Sequence, residues 1–232
     1  MNLKIDTQLK TRFSDLTVLT CNVKEVKVEK QNVELEKFKD KIADRIREKY
    51  ELDSVRNLPT FRAYRDFFWR VGIDPTKTRP AAEALIRRIL GGRKVPRINT
   101  LVDAYNLASI VTEIALAAFD ANRLKGDFLL RFAQKGEKFL GIGMGRPMLL
   151  QGGEIVISDS EKLVAIYPYR DADITKITEK TKNAVLLVCG VPGIGKETLQ
   201  KAAEAALEYV TRFCDGGGKI QSATSTRNQM DC

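Results

Sequence analysis

Apolar residues recur at steps of three and four through much of the first half of the chain. After Asp127 they gather into short unbroken runs. The first spacing is the period of an amphipathic helix, and the second is consistent with buried strands. Leu35, Phe38, Ile42, Ile46 and Tyr50 mark one helix, which Leu58-Pro59 closes. Residues 60–71 form a second, holding five of the seventeen aromatic residues at helical spacing, which assigns them to the core rather than to a base-stacking surface. Residues 81–90 form a third, with Pro80 in its first turn and Gly91-Gly92 as its stop. A fourth opens at Thr100, read as the N-cap with Asp103 three positions on. Its core face carries Leu101, Ala104, Leu107, Ala108, Val111, Ile114 and Ala115, opposite a polar stripe of Asp103, Asn106, Ser109 and Glu113.

Before these helices, residues 1–30 read as a short helix or loop followed by strand material around Val18, Val23, Val26 and Val28. After them comes a turn at Phe119-Asp120, then four strands written DFLLRF, GEIVIS, LVAIY and AVLLVC. A last helix starts at Lys196 and runs to about Phe213. From Asp215 the chain is polar and glycine-led, and disorder is expected over 215–232. The order predicts an α+β fold, a mixed sheet flanked by helices, in one domain over residues 1–214, with two subdomains meeting near residue 95 as the variant.

Composition narrows the chemistry. At 232 residues, 44% hydrophobic and 30% charged, the chain is of ordinary globular type. It has no apolar leader at its start, and Cys21, Cys189, Cys214 and Cys232 form no CxxC pair, so reduced thiols and a cytoplasmic setting are expected, away from membranes. Histidine is absent, which excludes Ser-His-Asp and Cys-His catalysis and histidine-ligated zinc. Neither a metal nor a cofactor is expected. The net charge of +9 is concentrated: residues 62–97 hold ten basic residues against three acidic ones. Arg79, Arg87, Arg88, Arg93, Lys94 and Arg97 are its nucleic-acid candidates, because clustered guanidinium groups suit phosphate.

A strand followed by Gly190, Gly195 and Lys196 satisfies GxxxxGK, the phosphate-binding pattern of nucleotide hydrolases. Glu197 stands where a magnesium-binding hydroxyl is required, and only 36 residues follow Lys196. The segment therefore reads as a tight turn, with Lys196 and the helix N-terminus kept as an anion site.

Four segments in order carry a resemblance: NTLVDAYN from Asn99, ALAAFD from Ala115, RFAQKGE from Arg131 and EIVISD from Glu154. They resemble the B3/4 domain of the bacterial-type phenylalanyl-tRNA synthetase beta subunit over roughly residues 60 to 190, and the chain is most similar to freestanding proteins of that type. The stretch 96–214 is the most family-like part. The resemblance implies hydrolysis of mischarged aminoacyl-tRNA in trans, with tRNA or aminoacyl-tRNA as partner and an aminoacyl-tRNA synthetase as a further one. A non-catalytic RNA-binding module is the alternative, and a nucleotide-binding protein a third.

By position the resemblance offers Asn99, Asp103, Asn106, Ala117, Glu137, Arg170, Asp171 and Thr175 as substrate-pocket residues. Ala117 stands where the family has histidine, and Leu187 where it has a pocket glutamate. Arg170 is expected to bind an anion with Asp171 orienting it. No catalytic group is assigned.

Overall fold

The computed structural model describes residues 1–225 of the 232. Its first half contains β1 (Leu3–Ile5), α1 (Thr7–Arg12), β2 (Leu19–Lys24), α2 (Val33–Lys49), α3 (Pro59–Arg70), α4 (Ala81–Leu90) and α5 (Thr100–Thr112). Then follow β3 (Leu116–Asp120), β4 (Phe128–Phe132), β5 (Lys138–Phe139), β6 (Met148–Leu149), β7 (Ile155–Ser158), β8 (Leu163–Ile166) and β9 (Arg170–Asp171). The chain closes with β10 (Ala184–Val188), α6 (Lys196–Cys214), β11 (Gly217–Ser222) and β12 (Thr224–Ser225). The fold is α+β, with a six-stranded mixed sheet ordered β12-β1-β4-β7-β8-β9 and a four-stranded sheet ordered β11-β2-β10-β3. Strands β5 and β6 form a separate ribbon.

The main apolar core draws on residues from Leu3 to Cys214, on both sides of residue 95, and a second, smaller cluster gathers Ala133, Phe139, Leu150, Val156, Ile166 and Ala172. The aromatics of α3 enter it: Phe61, Tyr64, Phe67 and Phe68 are buried, while Trp69 is exposed. The Tyr64 hydroxyl donates to the carbonyl of Cys189 and accepts the N–H of Ala115 (3.0 Å). It thereby ties α3 to the end of β10 and the start of β3. The Tyr167 hydroxyl donates in the same way to the Gly190 carbonyl. These two phenols fix the strand ends on which the candidate site is built.

Three expectations change. The N-cap of α5 is Asn99, whose Oδ1 accepts the Val102 N–H at 3.0 Å, while the Thr100 hydroxyl accepts the Glu29 N–H. The helix stops at Thr112, where Glu113 adopts a left-handed conformation with φ of 64°. Ala115 and Ile114 therefore leave the helix, and residues 116–120 become a strand instead of a turn. Alanine-rich sequence favours helix, but here pairing with β10 supplies the backbone partners and every residue of β3 is buried.

The third change lies in the tail. Residues 217–222 pair antiparallel with β2, and residues 224–225 pair with β1. Its glycines permit close approach rather than looseness: a Cβ on Gly218 would meet Leu207 Cδ2 at 2.7 Å and the Asn22 carbonyl at 2.9 Å. The remainder of the expected disordered tail, residues 226–232, lies outside the described residues. Among the described residues no helix is long and apolar enough to cross a membrane.

Candidate functional site

Helix α5, the paired strands β3 and β10, and the β8–β9 corner enclose a pocket of about 170 Å³. Register sets its floor: Ala117 of β3 lies directly opposite Leu187 of β10, so both bear on the same face. Leu116, Ala165 and Ile166 add apolar wall. The polar lining is Tyr105 and Asn106 from α5, Tyr169 before β9, and Asp171 within it. Cys189 and Tyr167 complete the back. The volume equals about five or six waters at roughly 30 Å³ each, far below the ~300–1,000 Å³ of drug-sized sites.

Strand pleating decides which member of the Arg170-Asp171 pair enters. Successive side chains point to opposite faces, so Arg170 is exposed while Asp171 faces the pocket. Arg170 donates to the Ile142 carbonyl (3.3 Å) and lies over the Tyr169 ring, its stem packed on Gly141. The expected Arg170–Asp171 partnership is thus absent, a consequence of adjacent positions on one strand. Among the described residues the Asp171 carboxylate has neither a hydrogen bond nor an ion pair. Burial pushes its pKa up to about 7. Burial, reinforced by the charge of Asp171, also raises the Tyr105 phenol and the Cys189 thiol, and both stay neutral. A neutral buried thiol is not a nucleophile.

A second, open cavity of about 720 Å³ adjoins the first. Arg79, Arg87, Arg88 and Arg93 line it, with Leu52, Leu85 and Ile98 between them. Ala81 and Asn106 line both cavities and form the neck. Arg87 donates to the Leu52 carbonyl (3.0 Å) and Arg88 to that of Lys94 (2.6 Å), which fixes two guanidinium groups without neutralising them. Among the described residues the guanidinium groups of Arg79 and Arg93 have no hydrogen-bond or ion-pair partner. Elsewhere in the basic window the charge is compensated only in part: Arg65 pairs with buried Glu83 at 3.2 Å and Arg97 with Glu36 at 3.1 Å, whereas Arg62 and Arg70 have no ion pair among the described residues and line a separate depression with Asp15 and Asp66. Lys94 and Arg97 border a different depression that also holds Glu36 and Asp40.

The structure separates the sequence candidates. Asn106, Ala117 and Asp171 meet in the pocket. Asn99 is a buried helix cap, and its Nδ2 reaches the Ile177 carbonyl at 3.5 Å. Asp103 is buried against Lys39 and accepts the Ile98 N–H at 3.0 Å; burial raises its carboxyl against the pull of Lys39. Glu137 is held by both guanidinium nitrogens of Arg131 (2.9 and 2.7 Å), which lower its pKa. Thr175 turns its hydroxyl to the Ala172 carbonyl. These four, with exposed Arg170, lie outside the pocket lining. Tyr105, Tyr167, Tyr169 and Cys189 were not singled out by sequence, since aromatic and thiol groups next to apolar runs read as core.

The glycine turn before Lys196 follows an antiparallel strand, and its Gly193 N–H donates to the Asp15 carboxylate at 3.1 Å. A carboxylate thus occupies a donor that a phosphate would need. Glu197 pairs with Lys201 (2.8 Å), and exposed Lys196 borders neither cavity. Among the described residues no cluster of histidine, cysteine and acidic side chains could hold a metal.

The fold and the two cavities define an α+β module with a small, partly open pocket beside an arginine-lined trough. Residues 63–215, about two thirds of the chain, match the B3/4 domain, and the chain belongs to that family. It is similar to the phenylalanine–tRNA ligase beta subunit of Fusobacterium nucleatum, 35% identical over 86 residues, covering 37% of this chain and 11% of that protein. The corresponding subunit of Protochlamydia amoebophila is 34% identical over 90 residues, covering 38% and 11%. The chain thus spans about a tenth of the length of these curated relatives. Its fold is that of an N-terminal fragment of the phenylalanyl-tRNA synthetase beta subunit from Pyrococcus horikoshii. The TM-score is 0.51 at 16% identity, over 100% of this chain and 53% of that one.

Proposed function

We propose that this protein binds the acceptor end of an aminoacyl-tRNA and hydrolyses the ester linking the amino acid to the terminal ribose, acting in trans on mischarged tRNA. One observation carries this reading: a cavity bearing four arginines and a smaller pocket without any share Ala81 and Asn106 in their linings. An acceptor end has the same bipartite chemistry, with phosphates on one side of an ester and a small aminoacyl group on the other. Phosphates suit the trough of Arg79, Arg87, Arg88 and Arg93. A small aminoacyl group suits the smaller pocket, which leaves the ester beside the shared residues Ala81 and Asn106. There the Asn106 amide, unpartnered among the described residues, serves as a donor to the carbonyl oxygen as charge develops on it. Water adds to that carbon, the amino acid leaves as its acid, and the ribose oxygen takes the proton. With no histidine in the chain, a neighbouring ribose hydroxyl assists the proton transfer.

The replacement of two polar family positions by Ala117 and Leu187 favours a second reading, a tRNA-binding module without turnover. Incubating the purified protein with a panel of aminoacyl-tRNAs separates the two. Release of at least one amino acid above the spontaneous rate is expected. Binding without release of any would leave the non-catalytic module, and no binding at low salt would end both.

A further inference from the structure

The pocket contains one group that its surroundings do not explain. Asp171 is half-buried on a lining otherwise made of apolar, phenolic and amide groups, yet no cation of the described chain reaches it. Its neighbour Arg170 lies on the opposite face of the strand. A carboxylate so placed calls for a proton or a positive partner. A metal ion is a poor fit, because hard cations require several oxygen ligands and no other acidic side chain lines this pocket. A primary ammonium needs only one carboxylate and a few neutral acceptors. Tyr105 and Asn106, which carry a hydroxyl and an amide oxygen able to accept, belong to the same lining.

We propose that Asp171 is the recognition residue of the pocket, its carboxylate pairing with the primary ammonium of an aminoacyl group whose carbon chain lies on the floor of Ala117 and Leu187. The inference rests on the aminoacyl-tRNA reading and adds to it a substrate feature: the group must carry a free amine. That amine is either the α-ammonium common to all aminoacyl esters or the terminal ammonium of a basic side chain.

Amide-linked 3′-aminoacylamino adenosines, which cannot be hydrolysed, test the proposal with three probes: alanyl, N-acetylalanyl and Nα-acetyllysyl. Calorimetry on the wild-type protein is expected to show the alanyl probe binding about tenfold or more tighter than its acetylated form. In Asp171→Asn, which keeps the shape and removes the charge, that preference falls to near unity. Tight binding of the Nα-acetyllysyl probe with weak binding of the alanyl probe assigns the ammonium to the side chain and still supports the pairing. If Asp171→Asn keeps the wild-type preference, or the wild type binds none of the probes, the proposal is overturned. Measuring uncharged tRNA alongside keeps the two readings apart: tRNA binding without probe discrimination removes Asp171's role alone. Probe discrimination without tRNA binding leaves that role and removes the tRNA.

Discussion

Asp171 and Asp103 are both acidic side chains inside the fold, and their surroundings give them opposite parts. Lys39 neutralises Asp103 at the start of α5, and Lys39 itself is held by Glu36 (2.7 Å) and the Pro96 carbonyl (3.1 Å). Asp171 has no such compensation, so the fold raises its pKa from 3.8 to about 7. Below pH 4 the carboxyl is protonated in both folded and unfolded chains and carries no penalty. As the pH rises from 4 to 7 the unfolded chain ionises first, so the contribution of Asp171 to stability is lost across that window. Tyr105 and Cys189, both raised and neutral, do not titrate there. The full shift corresponds to an upper bound of roughly 4 kcal/mol at about 1.4 kcal/mol per pH unit, and partial exposure brings the expected effect to on the order of 1–2 kcal/mol. Asp171→Asn should therefore melt above wild type at pH 8 and lose that advantage at pH 4. Parallel melting curves at the two pH values check it, and an unchanged difference would show that Asp171 has a partner in the folded state.

At the scale of elements, β3, which carries part of the pocket floor, and β11, at the opposite edge of the same sheet, are among the strands that periodicity does not mark, as are the short β1, β5, β6, β9 and β12. Strand β3 brings Ala117 opposite Leu187, but its alanines carry helical propensity, and burial on both faces removes the alternation that marks a strand. Strand β11 opens with two glycines after Gly216, a composition shared with linkers; only the close approach of Gly218 to Leu207 and Asn22 shows their purpose. By contrast α2, α3, α4, α6 and the strands β4, β7, β8 and β10 follow directly from periodicity, because each buries one continuous stripe or run. Asn106, Ala117 and Asp171 could be placed by family resemblance, whereas the tyrosines of the pocket could not, since their site exists only once strands distant in sequence meet. Gly218→Val should displace β11 from β2 and cost about 1–3 kcal/mol, read as a lowered denaturation midpoint. A midpoint equal to wild type would mean that β11 contributes nothing to the folded core.

For the molecule as a whole, the uneven charge of the sequence becomes a directed surface. Arg65 and Arg97 are consumed by Glu83 and Glu36, while Arg79, Arg87, Arg88 and Arg93 of the trough have no ion pair among the described residues; Arg62 and Arg70, likewise without one, lie at a separate depression. Arg79→Ala and Arg93→Ala should each weaken tRNA binding and reduce the slope of log affinity against log salt by about 1. Filter binding over a salt series checks this, and slopes equal to wild type would place the tRNA on another face. The central claim is narrower: the aminoacyl end occupies the pocket while the phosphates lie in the trough. The most direct measurement compares wild type with Ala117→Phe, which fills the pocket floor, for deacylation of the aminoacyl-tRNA that wild type turns over and for affinity toward the uncharged tRNA. Hydrolysis is expected to fall by about a hundredfold or more while affinity stays within about twofold. Deacylation by Ala117→Phe at the wild-type rate would contradict it.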